Sequence, residues 1–151
     1  MPLSNRDANW EAIYRKVIKD GNRALVTNPN SIYELIKRGF AYYYLGDLDR
    51  AIVDFTKAIE IDPRCIHAYR NRGAVYHELK AYERAIKDFD RAIEINPDFG
   101  EAYYRRGLSH RMLGTNERAV EDLRESLKLG TRYDRWRNEA QEQLTDLEGG
   151  E

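Results

Sequence analysis

The chain has 151 residues, of which 42% are hydrophobic and 34% charged, and its formal net charge is -1. These values predict one soluble globular domain with a charged surface, and they exclude an overall field that attracts nucleic acid or anionic membrane. No apolar run approaches the length of a membrane span, and the first residues lack the blocks of a secretory signal, so we expect a cytoplasmic protein. Cys65 is the only cysteine, which excludes an internal disulfide.

An apolar stripe over residues 7 to 27 predicts a leading helix. Its members are Trp10, Ile13, Tyr14, Val17, Ile18, Ala24 and Leu25, most of them spaced by three or four residues. Asn28-Pro29 ends the stripe, because proline cannot continue a helix. Gly21 interrupts it, and we expect a bend at Asp20-Gly21.

A pattern with a period of 34 residues follows. It reads Arg38-Gly39, Leu45, Arg50-Ala51 and Asp54, then Arg72-Gly73, Leu79, Arg84-Ala85 and Asp88, then Arg106-Gly107, Leu113, Arg118-Ala119 and Asp122. Such a period is typical of stacked repeats that bury their apolar faces against their neighbours. Apolar residues spaced by three and four between these landmarks predict two helices per repeat, joined near 46–47, 80–81 and 114–115.

The repeats resemble the tetratricopeptide repeat family when they are numbered from Ile32, Ile66 and Gly100. The family's small eighth residue is Gly39, Gly73 and Gly107, its alanine at position twenty is Ala51, Ala85 and Ala119, and its closing proline is Pro63 and Pro97. The third repeat departs from the family, since His110 replaces the aromatic residue of Tyr42 and Tyr76, and Thr131 replaces the proline.

The resemblance implies an all-α fold, a right-handed superhelical solenoid of three helix pairs with an N-terminal leading helix and a C-terminal capping helix. The expected boundaries are 1–31 for the leading helix, 32–65, 66–99 and 100–131 for the repeats, and 132–151 for the capping helix and tail. The apolar side of the capping helix is formed by Tyr133, Trp136, Ala140, Leu144 and Leu147.

Each helix pair is expected to close over its small residues, with Gly39 opposite Ala51. The family more often has leucine where this chain has Arg38, Arg72 and Arg106. Each arginine precedes an aspartate by sixteen residues, namely Asp54, Asp88 and Asp122, and we expect ion pairs between them. The same aspartates could instead pair with Arg50, Arg84 and Arg118 on their own helices. We favour a network that both arginines share.

No catalytic or metal motif is present in the sequence. The three histidines are far apart, there is no His-x-x-x-His or glycine-rich phosphate loop, and Cys65 and His67 would point to different sides of a helix. We therefore predict no catalytic residue, no metal and no cofactor.

The resemblance places a concave groove along the first helix of each repeat. The implied lining residues are Tyr33, Ile36, Lys37, Phe40, Tyr43 and Tyr44, then His67, Arg70, Asn71, Ala74, His77 and Glu78, then Glu101, Tyr104, Arg105, Leu108, Arg111 and Met112. Aromatic residues beside arginines are typical of binding hot spots. In the alternative interpretation, the tyrosines pack between repeats and the arginines form a solvated face.

We predict a non-catalytic protein-interaction module that binds a peptide with acidic and apolar residues as a monomer. The alternatives are a self-associating scaffold, in which Trp10 or Trp136 docks on a second copy as a homodimer, and a small hydrolase or metal enzyme. Some family members grip acidic chaperone tails with a clamp of five residues. Asn71 and Arg105 fit that clamp, whereas Ile36, Phe40 and Glu101 do not.

Overall fold

The computed structural model describes residues 5–131 and 134–149. Over these residues the chain forms eight helices and no strand, which confirms an all-α helical repeat. They are α1 (Asn5–Thr27), α2 (Ile32–Tyr44), α3 (Leu48–Ile61), α4 (Ile66–Glu78), α5 (Tyr82–Ile95), α6 (Gly100–Met112), α7 (Asn116–Leu129) and α8 (Arg137–Glu148). Helices α2, α4 and α6 start 34 residues apart, as do α3, α5 and α7. The right-handed superhelical path remains a prediction.

The turns inside the repeats have one backbone conformation in common. Gly46 and Gly114 have φ angles of 79° and 74°, and Lys80 has a φ of 59° at the equivalent place. This left-handed region suits glycine because it has no Cβ. The side chain of Asp47 then accepts a hydrogen bond from the backbone N–H of Arg50 and caps α3.

The chain forms two compact units, an N-terminal unit (Met1–Val75) and a C-terminal unit (Tyr76–Glu151). In the N-terminal unit, Tyr42, Phe55 and Val75 form one buried cluster with Ala51. A Cβ at Gly39 would lie 2.8 Å from Cε1 of Phe55 and 3.1 Å from Cβ of Asp54. Glycine here makes room for the Phe55 ring, and the expected pairing of Gly39 with Ala51 remains a prediction.

Helix α1 continues through Gly21 without a break, and the bend expected at Asp20-Gly21 remains a prediction. A Cβ at Gly21 would lie 3.3 Å from Cβ of Arg38. Gly21 therefore allows α2 to pack closely on α1. Ile18 and Leu25 contribute to the apolar clusters of this unit.

In the C-terminal unit the core includes residues from the capping helix. Tyr104, Leu123, Ala140 and Leu144 are buried together, and Trp136 and Leu147 pack against them. Trp136 precedes α8 rather than lying within it. The predicted contribution of Tyr133 lies outside the described residues.

The predicted arginine–aspartate pairs are present in the first and third repeats. The Nε and Nη2 groups of Arg38 donate to the two carboxylate oxygens of Asp54 at 2.8 and 2.6 Å, and Arg106 binds Asp122 with the same two distances. Arg50 was expected to share Asp54, but it lies 3.5 Å from Asp47 instead. The pair of Arg72 and Asp88 remains a prediction.

Each of these arginines also bonds to a residue sixteen positions before it. The Nη1 group donates from Arg38 to Asn22 at 2.8 Å, from Arg72 to Thr56 at 3.0 Å, and from Arg106 to Asp90 at 2.6 Å. In the first and third repeats the guanidinium thus joins its own helix pair to the preceding helix. These backward contacts were not predicted from the sequence, although Asn22, Thr56 and Asp90 follow the same 34-residue period.

Candidate functional site

The N-terminal unit contains an open groove of about 410 Å³, which we call the N-terminal groove. Its lining comprises Tyr14, Val17, Tyr33, Ile36, Lys37, Phe40, Ala41, His67, Arg70 and Asn71. Most of these were predicted as site residues, whereas Tyr14, Val17 and Ala41 were not. Among the described residues, the predicted Tyr43, Tyr44 and Ala74 lie outside this lining.

The groove has two chemically different sides. Tyr14 and Val17 of α1 and Ile36 and Phe40 of α2 make one side mainly apolar, whereas α4 contributes polar side chains, namely His67, Arg70 and Asn71. None of the ten lining residues has a carboxylate. The lining therefore favours an apolar group on one side and a polar or negatively charged group on the other.

Two of the polar lining residues differ in how they are held. Lys37 lies 3.2 Å from the carboxylate of Glu34, and its Nζ is 5.2 Å from the centroid of the Tyr33 ring. Asn71 is 9% exposed, and within the described part of the chain its side-chain amide has no hydrogen-bond partner. An amide can both donate and accept, so Asn71 is suited to a polar group that enters the groove.

Four aromatic rings follow one another along α1 and α2, and we call them the aromatic row. Ring centroids are 6.3 Å apart from Trp10 to Tyr14, 5.0 Å from Tyr14 to Tyr44, and 4.6 Å from Tyr44 to Phe40. Tyr43 contacts Tyr44 edge-on at 5.3 Å and also packs against the core. Burial raises the pKa of Tyr14, and the neighbouring Tyr44 adds to this.

Several predicted site residues of the C-terminal unit hold the capping helix instead. Tyr104 is 4% exposed and stacks on Trp136 with ring centroids 5.5 Å apart. Burial and a hydrogen bond with Glu139 raise the pKa of Tyr104. Leu108 packs against the same core, and Arg111 binds Gln143 and lies 3.6 Å from Asp146. Tyr104 is thus buried, whereas Leu108 and Arg111 remain partly exposed, and peptide binding by these residues remains a prediction.

The remaining predicted residues of this unit differ in accessibility. Arg105 donates through Nε to Glu101 at 2.8 Å, so the positive charge that was expected here is partly neutralised. Nδ1 of His77 lies 2.9 Å from Oγ of Ser109, and burial lowers the pKa of His77. Met112 is 57% exposed.

Over residues 5–131 and 134–149, no group of three or more His, Cys, Asp or Glu side chains could hold a metal ion. Cys65 is a free thiol, partly buried against the core. No helix in the described ranges is long and apolar enough to cross a membrane.

Comparison with known proteins gives one consistent family. Three family models match, "Tetratricopeptide repeat" over residues 67–99, "TPR repeat" over 39–80 and "Tetratricopeptide repeat" over 100–129. The matches together cover residues 39–129, which is more than half of the chain. No curated protein matches the chain.

Solved structures with the same fold include tetratricopeptide repeat domains. The first TPR of Spaghetti (RPAP3), bound to the HSP90 peptide SRMEEVD, is 29% identical with a TM-score of 0.72, and the match covers 78% of this chain and 90% of that chain. The Arabidopsis OM64 TPR domain is 25% identical with a TM-score of 0.73 over 80% and 97% of the two chains. MamA, at 21% identity and a TM-score of 0.77 over 99% and 95%, shares the fold. The chain belongs to the tetratricopeptide repeat family.

Proposed function

We propose that the chain binds an extended segment of a partner protein in the N-terminal groove. The observation that carries this proposal is the lining itself, with an apolar side from α1 and α2, a polar side from α4, and no carboxylate among its ten residues. Tetratricopeptide repeat domains generally mediate protein–protein interactions, and the Spaghetti domain in the comparison is bound to a peptide.

The partner segment is expected to combine apolar or aromatic anchors with Asp or Glu. Ile36 and Phe40 would receive an apolar side chain, while Arg70 and Asn71 on the opposite side would face an acidic group. We expect micromolar affinity, since a small groove provides few hot spots against the cost of ordering a peptide. The peptide SRMEEVD also combines acidic and apolar residues. Because Ile36 and Phe40 stand where the five-residue clamp of some family members has polar residues, we propose that this chain contacts its peptide through other side chains.

Binding rather than catalysis is the proposed role, in keeping with a family whose members are generally non-catalytic interaction modules. We further propose that the chain acts as a monomer in the cytoplasm without a cofactor. The self-associating scaffold remains the alternative that the experiments below can reveal.

The proposal can be tested with peptides selected from a random dodecapeptide phage library on the wild-type chain. Asn71→Asp places a carboxylate of nearly the same shape in a groove that has none, so the selected peptides should bind at least about tenfold more weakly. Asn30→Asp, at an exposed turn of the same unit, is the matched control and should leave affinity within about twofold. Equal affinities of the two variants, or a library that yields no binding peptide, would contradict binding in this groove.

A further inference from the structure

We infer that the aromatic row extends the N-terminal groove and receives a second anchor, an aromatic side chain of the same partner segment. This inference rests on the proposed function, because it assumes that a segment occupies the groove. It adds a subsite to which α1 contributes Trp10 and Tyr14, outside the positions of the predicted concave lining.

The row and the groove are one continuous surface. Tyr14 and Phe40 line the groove and are also members of the row. A segment whose first anchor lies beside Phe40 therefore reaches Tyr44 and Trp10 without leaving the surface. An extended chain rises about 3.3 Å per residue, so the row can accompany at most about five residues of that segment.

The rings are more exposed than core residues of a repeat domain. Trp10 is 55% exposed, Tyr44 54% and Phe40 38%, and the neighbouring Ile13 is also exposed at 40%. Contiguous exposed apolar groups of this kind mark interaction sites in soluble proteins. The surface thus needs an occupant that covers apolar area.

Ring geometry and charge favour an aromatic occupant over a cationic one. Tyr14 stacks with both Trp10 and Tyr44, at interplanar angles of 27° and 12°, so these neighbours compete with a ligand for the faces of its ring and favour contact at its edge. Ring edges carry partial positive charge and prefer the negative face of another aromatic ring. Lys37 and Arg70 in the adjoining groove add positive charge, which disfavours lysine or arginine in the partner.

The test uses peptides selected from the random dodecapeptide library on the wild-type chain and the exposed-residue variants Trp10→Ser and Tyr44→Ser. Val53→Ser, which replaces a 65% exposed apolar residue of α3, is the matched control. Selected peptides should carry an aromatic residue within about five positions of an apolar one. Trp10→Ser and Tyr44→Ser should each weaken their binding about three- to tenfold, while Val53→Ser leaves it unchanged. Circular dichroism verifies that each variant is folded.

A second readout follows Trp10 directly in a Trp136→Phe background, where Trp10 is the only tryptophan. Its emission should shift to shorter wavelength as peptide is added, because the bound aromatic ring displaces water from the indole. Peptides that lose affinity with Asn71→Asp but leave Trp10 emission unchanged would overturn the aromatic subsite and retain the groove. A Trp10 shift that depends on protein concentration, with a doubled mass in sedimentation, would show that a second copy covers the row and would overturn the inference as well.

Discussion

Arg106 and Asp122 are joined by two parallel hydrogen bonds of 2.8 and 2.6 Å across a pair of neighbouring helices. The third guanidinium contact reaches back to Asp90 at 2.6 Å. Burial lowers the pKa of Arg106, but the hydrogen bonds and charges of Asp122 and Asp90 outweigh this and raise it. Since the family more often has leucine here, an apolar packing contact has been replaced by a charged junction of three helices.

Removing one partner of this junction should be costly. Asp122→Ala should lower the free energy of unfolding by about 3 kcal/mol, because Arg106 keeps its charge in a largely buried position without its bidentate acceptor. Glu125→Ala on the same helix, which breaks an exposed pair with Lys128, should cost less than about 1 kcal/mol. Urea unfolding followed by circular dichroism measures both. A wild-type midpoint for Asp122→Ala would mean that Arg106 is stabilised by solvent instead.

Gly39→Ala should destabilise the N-terminal unit despite the better helix propensity of alanine. The propensity gain is about 1 kcal/mol. The new Cβ would lie 2.8 Å from the ring of Phe55, which is 1% exposed and has little freedom to move, and overpacking of this kind costs about 1 to 3 kcal/mol. Thermal unfolding should show a lower midpoint. A raised midpoint would mean that the Phe55 ring shifts at little cost.

Lys80→Gly should be stabilising. Lys80 occupies the left-handed conformation that Gly46 and Gly114 adopt in the other repeats, with a φ of 59°. A residue with a Cβ is destabilised by about 1 kcal/mol or more in this conformation. Glycine loses more conformational entropy on folding, so the substitution should raise the free energy of unfolding by about 0.5 to 1 kcal/mol. Gly46→Ala is the reverse change and should lose a similar amount. Chemical unfolding of the two variants should therefore move the midpoint in opposite directions.

The 34-residue period predicts the helices well, because helix formation depends on the spacing of apolar residues within each repeat. The first helices of the repeats start at Ile32, Ile66 and Gly100, where the family register places them. The period also predicts the pairs of Arg38 with Asp54 and Arg106 with Asp122, since both partners belong to the repeating pattern.

The site was predicted less completely, because a register shows which face a residue lies on but not what covers that face. Tyr104 is equivalent to Ile36, yet Trp136 stacks on Tyr104 whereas Ile36 lines an open groove. Trp10 and Tyr14 were assigned to an apolar stripe that looks the same whether it faces a core or a ligand. The matching four-residue spacing of Trp10 with Tyr14 and Phe40 with Tyr44 was the available signal for the aromatic row.

His110→Tyr should make stability less dependent on pH. Burial lowers the pKa of His110 in the folded chain, so the unfolded chain binds more protons once the pH falls below the ordinary value of about 6.5. Stability is thus complete above that pH and lost as the pH falls towards the folded pKa. The other repeats have tyrosine at this position, and a tyrosine side chain does not titrate in this pH range.

The measurement is urea unfolding at pH 7.5 and 5.5 for the wild type and the variant. The wild type should lose more stability than His110→Tyr between the two values. The stability of His110→Tyr should still depend on pH to some extent, because burial also lowers the pKa of His77. Adding His77→Gln to this variant should reduce the pH dependence of stability further. Identical losses in all three proteins would mean that neither histidine is linked to folding in this range.

Arg70→Glu should weaken peptide binding more than Arg64→Glu, and the difference should depend on salt. Arg70 lines the N-terminal groove, whereas Arg64 is exposed on the turn before α4. A glutamate at position 70 would place a negative charge beside the acidic group of the partner. Salt screens such charges, with a Debye length of about 8 Å at physiological ionic strength and about 3 Å at 1 M. Titration of a selected peptide at low and high salt should therefore show weaker wild-type binding and a smaller gap between the variants at high salt. Equal losses from the two substitutions, or affinity that does not respond to salt, would place the acidic part of the partner on another face.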